Sequence, residues 1–138
     1  MILLDTNVVS ALMRESETRV SKWLDQQPAS SIWITSVTVM EIRYGLQIMA
    51  SGRRREDLAN AFQDVLEKDI EERIAPFDTA AGQEAANLMA ARKIRGQIVE
   101  IRDTLIAGIA MATGATLATR NTAHFADLSV PVINPWTA

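Results

Sequence analysis

Short, continuous apolar runs alternate along this chain with longer segments whose apolar residues recur at helical spacing. A short apolar run is typical of a strand that is buried on both faces, as in a parallel sheet. Candidate strands lie at residues 2–4, 32–34, 73–77, 115–119 and 130–133. Candidate helices follow Asp5 and occupy residues 18–26, 36–51, 56–71, 79–95 and 103–113. The alternation predicts an α/β fold of three layers, in which helices cover both faces of a mainly parallel central sheet of four to five strands.

Length and composition narrow the class of protein. The 138 residues are expected to form one domain, residues 1–138. The absence of cysteine excludes disulfides, zinc–thiolate sites and cysteine nucleophiles. With 14 basic and 17 acidic side chains the net charge is −3, so nucleic acid would have to be bound at a local site rather than by bulk attraction. No apolar run approaches the roughly 20 residues that span a bilayer, and we expect a cytoplasmic protein that does not contact membranes.

Three acidic residues and one amide, far apart in the sequence, are predicted to share one edge of the sheet. Asp5 directly follows the first strand, and Glu41 lies on the second turn of the helix after the second strand. Asp103 opens the helix that leads into the next long strand, which Asn121 follows. Ligands of open parallel sheets bind beyond the carboxyl ends of the strands. The placement of these residues therefore predicts a functional site at that edge.

Each of these residues also has a structural explanation. Asp5 and Asp103 could simply cap helices. Glu41 could be a solvated helix residue, and Asn121 could be an ordinary turn residue. Capping alone does not require every acid to lie at one end of the sheet, so the joint placement favours the functional interpretation.

The predicted cluster points to a class of chemistry. Carboxylates that lie close together repel one another unless a cation relieves them, and oxygen ligands without thiolate suit Mg²⁺ or Mn²⁺. Such ions promote phosphodiester hydrolysis by activating water and neutralising the leaving oxygen. His124 is the only histidine, which excludes a nuclease that uses two histidines as acid and base. We expect His124 to cap or pack the turn at residues 122–125.

Four stretches of the sequence resemble the motifs of the PIN-domain family, specifically the VapC-type toxins of bacterial toxin–antitoxin pairs and their FitB-like branch. The stretches are MILLDTNVVS at residues 1–10, SVTVMEIRYG at 36–45, RDTLIA at 102–107 and LATRNTAHF at 117–125. They occur in the family's order and span nearly the whole chain, and residues 132–136 resemble the usual ending. One position departs from the pattern, because many members carry a fourth acid where this chain has Asn121.

The resemblance implies a metal-dependent endoribonuclease that inhibits translation. By motif matching, Asp5, Glu41 and Asp103 would be the metal ligands, for Mg²⁺ or alternatively Mn²⁺. Asn121 would assist as a fourth catalytic residue, although its amide brings no charge. The resemblance further implies a homodimer, a cognate VapB-type antitoxin that blocks the site in a larger toxin–antitoxin complex, and promoter DNA bound only through the antitoxin.

Neighbouring residues are assigned supporting roles. Thr6 and Asn7 could donate hydrogen bonds that orient the ligands, and Thr119 matches a hydroxyl position of the family near the site. Arg102 and Arg120 adjoin motif acids and are the first candidates for holding substrate phosphates.

Two other functions remain open on the sequence. A non-catalytic interaction module would explain Asn121 as the mark of a degraded site. A phosphatase that forms an aspartyl phosphate on Asp5 is disfavoured, because such enzymes expect a second aspartate where this chain has Asn7.

Overall fold

The computed structural model describes all residues from Met1 to Ala138. Its five strands are β1 (Ile2–Leu4), β2 (Ile32–Thr35), β3 (Ile74–Ala75), β4 (Thr116–Ala118) and β5 (Val132–Ile133). Its six α-helices are α1 (Thr6–Leu12), α2 (Thr18–Asp25), α3 (Ser36–Ile48), α4 (Arg53–Asp64), α5 (Thr79–Ile94) and α6 (Ile101–Thr113). A π-helical turn, Val65–Asp69, continues α4, and 3₁₀ turns occupy Ala29–Ser31 and Thr122–Phe125.

The strands form one parallel sheet in the order β3-β2-β1-β4-β5. The central strand β1 pairs with β2 on one side and with β4 on the other, so that Leu3 lies opposite both Trp33 and Leu117. The chain runs outward from β1 through β2 and β3, then returns to add β4 and β5 on the other side. The strand order therefore reverses beside β1, and such a reversal opens a crevice at the carboxyl ends of the neighbouring strands. The predicted three-layer α/β/α fold with a parallel sheet is confirmed.

Two apolar clusters cover the opposite faces of the sheet. Leu3 and Leu4 are both fully buried and, as successive strand residues, point to opposite faces. Leu4 belongs to the cluster formed with α1–α4, whereas Leu3 belongs to the cluster formed with α5 and α6. This double burial explains why β1 reads as a continuous apolar run rather than as an alternating one.

Helices α5 and α6 pack closely because of one small residue. A Cβ atom placed on Gly108 of α6 would lie 2.6 Å from the carbonyl oxygen of Ala81 and 2.9 Å from the Cβ of Ala85, both on α5. Any larger side chain at Gly108 would push the two helices apart. The close contact positions α6, the helix that carries Asp103, against α5.

The structure corrects two helix boundaries. Residues 53–55, predicted as a connection before a helix at 56–71, form the first turn of α4. Asp103 does not open its helix, because Glu100 accepts a hydrogen bond from the backbone N–H of Arg102 and caps α6, which therefore begins at Ile101, two residues earlier than expected. None of the helices combines the length and the apolar character that crossing a membrane would require.

Candidate active site

Asp5 lies at the centre of the crevice that the strand order creates. It follows β1 directly and caps α1, since its Oδ1 accepts a hydrogen bond of 2.8 Å from the backbone N–H of Thr6. Its Oδ2 accepts 2.7 Å from the hydroxyl of Thr119, the residue that follows β4. The side-chain amide of Asn7 also donates to Oδ2, at 3.4 Å. Asp5 is only 4% exposed, and all of these donors are neutral.

Burial raises the pKa of Asp5 from its ordinary value of 3.8 to about 6. The hydrogen bonds from Thr119 and Thr6 favour the ionised form and lower the pKa, but they do not offset the loss of water. The negative charges of Asp103 and Glu41 raise the pKa further. No basic side chain forms an ion pair with Asp5. The carboxylate is thus hydrogen-bonded, but its charge has no cation beside it.

Glu41 reaches the same edge from α3. It lies on the second turn of that helix, and its side chain is 18% exposed. The hydroxyl of Thr6 donates 2.8 Å to Oε1, and the hydroxyl of Thr38 lies 2.9 Å from that of Thr6. On its outer side Oε2 lies 3.7 Å from Nη1 of Arg102. Thr6 therefore links the end of β1 to α3.

Asp103 lies in the first turn of α6, where its side chain is 23% exposed. Its Oδ2 is 3.2 Å from Nδ1 of His124, which belongs to the 3₁₀ turn after β4. His124 was expected only to cap or pack its own turn, so this contact was missed. The available signal was its position three residues after Asn121, within a stretch that already carried the motif.

The residues after β4 differ in burial and in their distance from the centre of the site. Thr119 is fully buried and, besides donating to Asp5, accepts a hydrogen bond from the backbone N–H of Asn121. Asn7 spans the gap, since its Oδ1 accepts from the backbone N–H of Arg120. The Asn121 residue is exposed and its side chain does not cap the 3₁₀ turn. Thr119 and Asn7 thus contact the centre of the site, whereas Asn121 borders it.

The two arginines singled out from the sequence have different surroundings. Arg102 is half exposed and contacts both Glu41 and Glu100 at the rim. The guanidinium of Arg120 lies over the ring of Trp136, 4.8 Å from its centroid. Arg102 therefore faces an acid of the site, while Arg120 is held against the carboxyl-terminal segment.

A second charged network lies behind Asp103 and was not predicted. Arg92 of α5 is only 6% exposed and donates twice to the carboxylate of Asp127, each time at 2.9 Å. The same guanidinium donates 2.8 Å to the backbone carbonyl of His124 and 3.4 Å to the hydroxyl of Thr104. Arg92 therefore ties the turn that carries His124 to the helix that carries Asp103.

The donor chemistry of the site fits a divalent cation of the magnesium type. Asp5, Glu41 and Asp103 offer only oxygen atoms, and a cation would offset the burial and the neighbouring negative charges that together raise the pKa of Asp5. The side chains do not stand in a finished coordination shell, because no group of three or more His, Cys, Asp and Glu residues is arranged to hold a metal ion. The assignment of the three acids as metal ligands stays a prediction.

Comparisons with known proteins agree with this geometry. The PIN domain pattern matches residues 2–130. VapC ribonuclease Y4jK of Sinorhizobium fredii is 37% identical over 99% of this chain and 98% of its own length. Toxin FitB of Neisseria gonorrhoeae is 33% identical over 99% of each chain. The structure of FitAB bound to an IR36 DNA fragment superposes with a TM-score of 0.87 at 33% identity, covering 99% of this chain and 96% of that one.

Proposed function

The chain belongs to the PIN-domain family, in the group that contains the VapC and FitB toxins, and we propose that it is a metal-dependent endoribonuclease that inhibits translation by hydrolysing RNA phosphodiester bonds. One observation carries the proposal. Three acids from separate elements approach the carboxyl edge of the sheet, and the innermost, Asp5, is buried with no basic side chain paired to it. A buried and uncompensated carboxylate in a crevice is typical of a site that binds a positive ligand.

Asp5, Glu41 and Asp103 would hold Mg²⁺ or Mn²⁺, with Asn121 assisting at the border. When bound, the divalent ion activates the attacking water and neutralises charge on the phosphate and the departing oxygen. The chain's own residues fix the acids in place. Thr119 and the backbone of Thr6 orient the carboxylate of Asp5, and Thr6 donates to Glu41 at 2.8 Å.

The supporting residues restrict where a phosphate can lie. Arg102 stands at the rim beside Glu41 and would contact the phosphate next to the cleaved bond. Asp5, by contrast, is buried and cannot contact the RNA backbone directly, so it would act on the substrate only through a bound metal ion.

We further propose the assembly that relatives of this chain suggest. A cognate VapB-type antitoxin would block the site, two copies of the chain would form a homodimer, and promoter DNA would be bound only through the antitoxin. The proposal is supported by the similarity to FitB, since a structurally similar protein is part of a FitAB complex bound to a DNA fragment. Light scattering of the chain alone and of the co-expressed pair tests both parts, and a monomer at micromolar concentration would contradict the homodimer.

The proposed activity is tested by incubating the purified chain with total bacterial RNA and mapping new 5′ ends by sequencing. We expect cleavage with Mg²⁺ or Mn²⁺ that excess EDTA abolishes. Asp5→Asn and Asp103→Ala should each abolish it, because each removes a charged ligand. Asp25→Asn, at an exposed position on α2, is the matched control and should cleave at the normal rate.

Two outcomes would count against the nuclease. Cleavage that persists in Asp5→Asn or in excess EDTA would show that the acids do not hold an essential metal. A folded wild-type chain that binds its antitoxin but cleaves nothing would support the non-catalytic interaction module instead.

A further inference from the structure

A groove leads away from the candidate site on the side of α3 and α4. Its inner part is a cavity of about 490 Å³ that reaches Thr6, Glu41 and Arg102 at one end. Tyr44, Arg14 and Arg54 also line it, together with apolar side chains that include Ile48, Met49 and Leu58. The cavity therefore opens onto the outer side of Glu41, one of the three predicted metal ligands.

The groove continues beyond this cavity. A second depression shares Arg14 and Arg54 with the first, as well as Met13 and Leu58. It adds Arg53 and extends past the amino end of α4. The two depressions form one path, which we call the arginine groove, from Glu41 to Arg53.

The arginine groove has more basic than acidic side chains in its lining. Arg14, Arg53 and Arg54 are exposed, and none of them forms an ion pair. Together with Arg102 they face only two acids of the groove lining, Glu41 and Asp57. A local excess of arginine on a chain with a net charge of −3 is an arrangement that attracts a polyanion to one place.

An aromatic side chain stands in the same groove. Tyr44 is 59% exposed, although aromatic rings are usually more deeply buried. Gly45, the next residue, also lines the cavity, and a Cβ built on it would have no atom within 4 Å, so the cavity is open at that point. A flat, accessible ring beside free arginines offers both contacts that single-stranded nucleic acid requires, namely stacking for a base and charge for the backbone.

We propose that the arginine groove binds single-stranded RNA on one side of the cleaved bond, with Arg14 and Arg54 on backbone phosphates and Tyr44 stacked on a base. The inference rests on the proposed function and names the path that its substrate takes. A duplex does not fit this arrangement, since its bases are already stacked on one another and cannot reach the ring of Tyr44.

Binding can be measured without cleavage. The full chain in EDTA is titrated into a fluorescein-labelled, mixed-sequence RNA 12-mer, and the fluorescence anisotropy is followed over a range of NaCl concentrations. Each phosphate contact contributes about 0.7 to the slope of log K against log salt for single strands. Arg14→Gln/Arg54→Gln should therefore lower the slope by about 1.4 and weaken binding roughly 25-fold at 0.1 M salt.

Matched variants separate local contacts from net charge and from misfolding. Lys22→Gln/Lys68→Gln removes the same charge at positions outside the arginine groove and should leave the slope unchanged. Arg14→Lys/Arg54→Lys should restore the slope. Tyr44→Ala should weaken binding roughly tenfold without altering the slope, whereas Tyr44→Phe should bind normally because it keeps the ring.

The proposal fails if Arg14→Gln/Arg54→Gln binds RNA with the wild-type affinity and slope. If that variant instead loses only the co-expressed antitoxin, the groove is a protein interface and RNA takes another path. Failure of the groove is distinct from failure of the nuclease, because RNA binding in EDTA does not depend on Asp5 holding a metal.

Discussion

Two charged side chains are buried in this protein, and their surroundings differ in one respect. Arg92 is 6% exposed and lies against the carboxylate of Asp127. Asp5 is 4% exposed and meets only a hydroxyl, a backbone N–H and an amide. The pairing with Arg92 holds the pKa of Asp127 below its ordinary value of 3.8, whereas burial raises the pKa of Asp5 to about 6. One charge is compensated within the fold and the other is not.

The difference separates a structural charge from a functional one. No buried side-chain nitrogen or oxygen lacks a hydrogen-bond partner, so hydrogen bonding alone does not distinguish Arg92 from Asp5. What distinguishes them is the sign of the neighbouring charges, because Asp5 has two further acids nearby. A buried carboxylate with acidic neighbours destabilises the metal-free protein, and such an arrangement is expected where a protein binds a cation.

Removing Arg92 from its ion pair with Asp127 should have the largest effect on stability. Arg92→Met leaves Asp127 with only the half-exposed Arg95 as a partner and releases the turn that carries His124. Removing one member of a buried pair lowers the free energy of unfolding by about 3–5 kcal/mol. Because Asp127 is partly exposed, we expect a loss of about 3 kcal/mol. Urea unfolding followed by circular dichroism measures it. Arg95→Met is the control, because Arg95 contacts the same carboxylate from a half-exposed position and should cost less than about 1 kcal/mol.

Removing the uncompensated charge of Asp5 should stabilise the protein rather than destabilise it. The difference between a pKa of 3.8 and one of about 6 corresponds to about 3 kcal/mol of destabilisation at pH 7.5. Asp5→Asn removes this cost and loses about 1 kcal/mol of charge-assisted hydrogen bonds, so the metal-free protein should gain about 2 kcal/mol. A loss of stability in metal-free Asp5→Asn would show instead that the surroundings of Asp5 stabilise its negative charge.

The gain in Asp5→Asn should depend on pH. Because the folded pKa of Asp5 is raised, the folded state keeps its proton between about pH 4 and 6, where the unfolded state has lost it. The destabilisation of the wild type therefore grows as the pH rises through that window and is constant above it. Near pH 4.5 only about 1 kcal/mol remains, so the two proteins should be about equally stable. Unfolding curves of the wild type and Asp5→Asn at both pH values test this, and a stability difference that is the same at pH 4.5 and pH 7.5 would contradict it.

The fold was predictable where burial acts on short stretches of sequence. Continuous apolar runs identified β1 and β2 because both faces of those strands are covered. The start of α4 was missed, since Arg53–Arg55 reads as a basic connection although arginine is a good helix former. The cap of α6 was assigned to Asp103 instead of Glu100, because both are acids that precede apolar residues and local sequence does not choose between them.

The candidate site was predictable where a residue directly follows a strand. Asp5 and Thr119 come after paired strands, so their contact follows from strand order. The contact of His124 with Asp103 depends on how a 3₁₀ turn packs against α6, and the motif stretch indicates only that His124 lies near the site, not which residue it contacts. The burial of Arg92 similarly depends on Asp127, which lies 35 residues further along the chain.

The smallest expected effect concerns the neutral donors that partly stabilise the charge of Asp5. Thr119→Val keeps the shape of the side chain but removes the 2.7 Å hydrogen bond to Oδ2. The pKa of Asp5 should rise above about 6, since that hydrogen bond favours the ionised form. Stability at pH 7.5 should fall by about 1 kcal/mol, and Mn²⁺ affinity at pH 6 by isothermal titration calorimetry should fall because the ion competes with a more firmly held proton. Thr119→Ser, which keeps the hydroxyl, should restore the affinity; if it does not, the hydrogen bond is not what the variant lost.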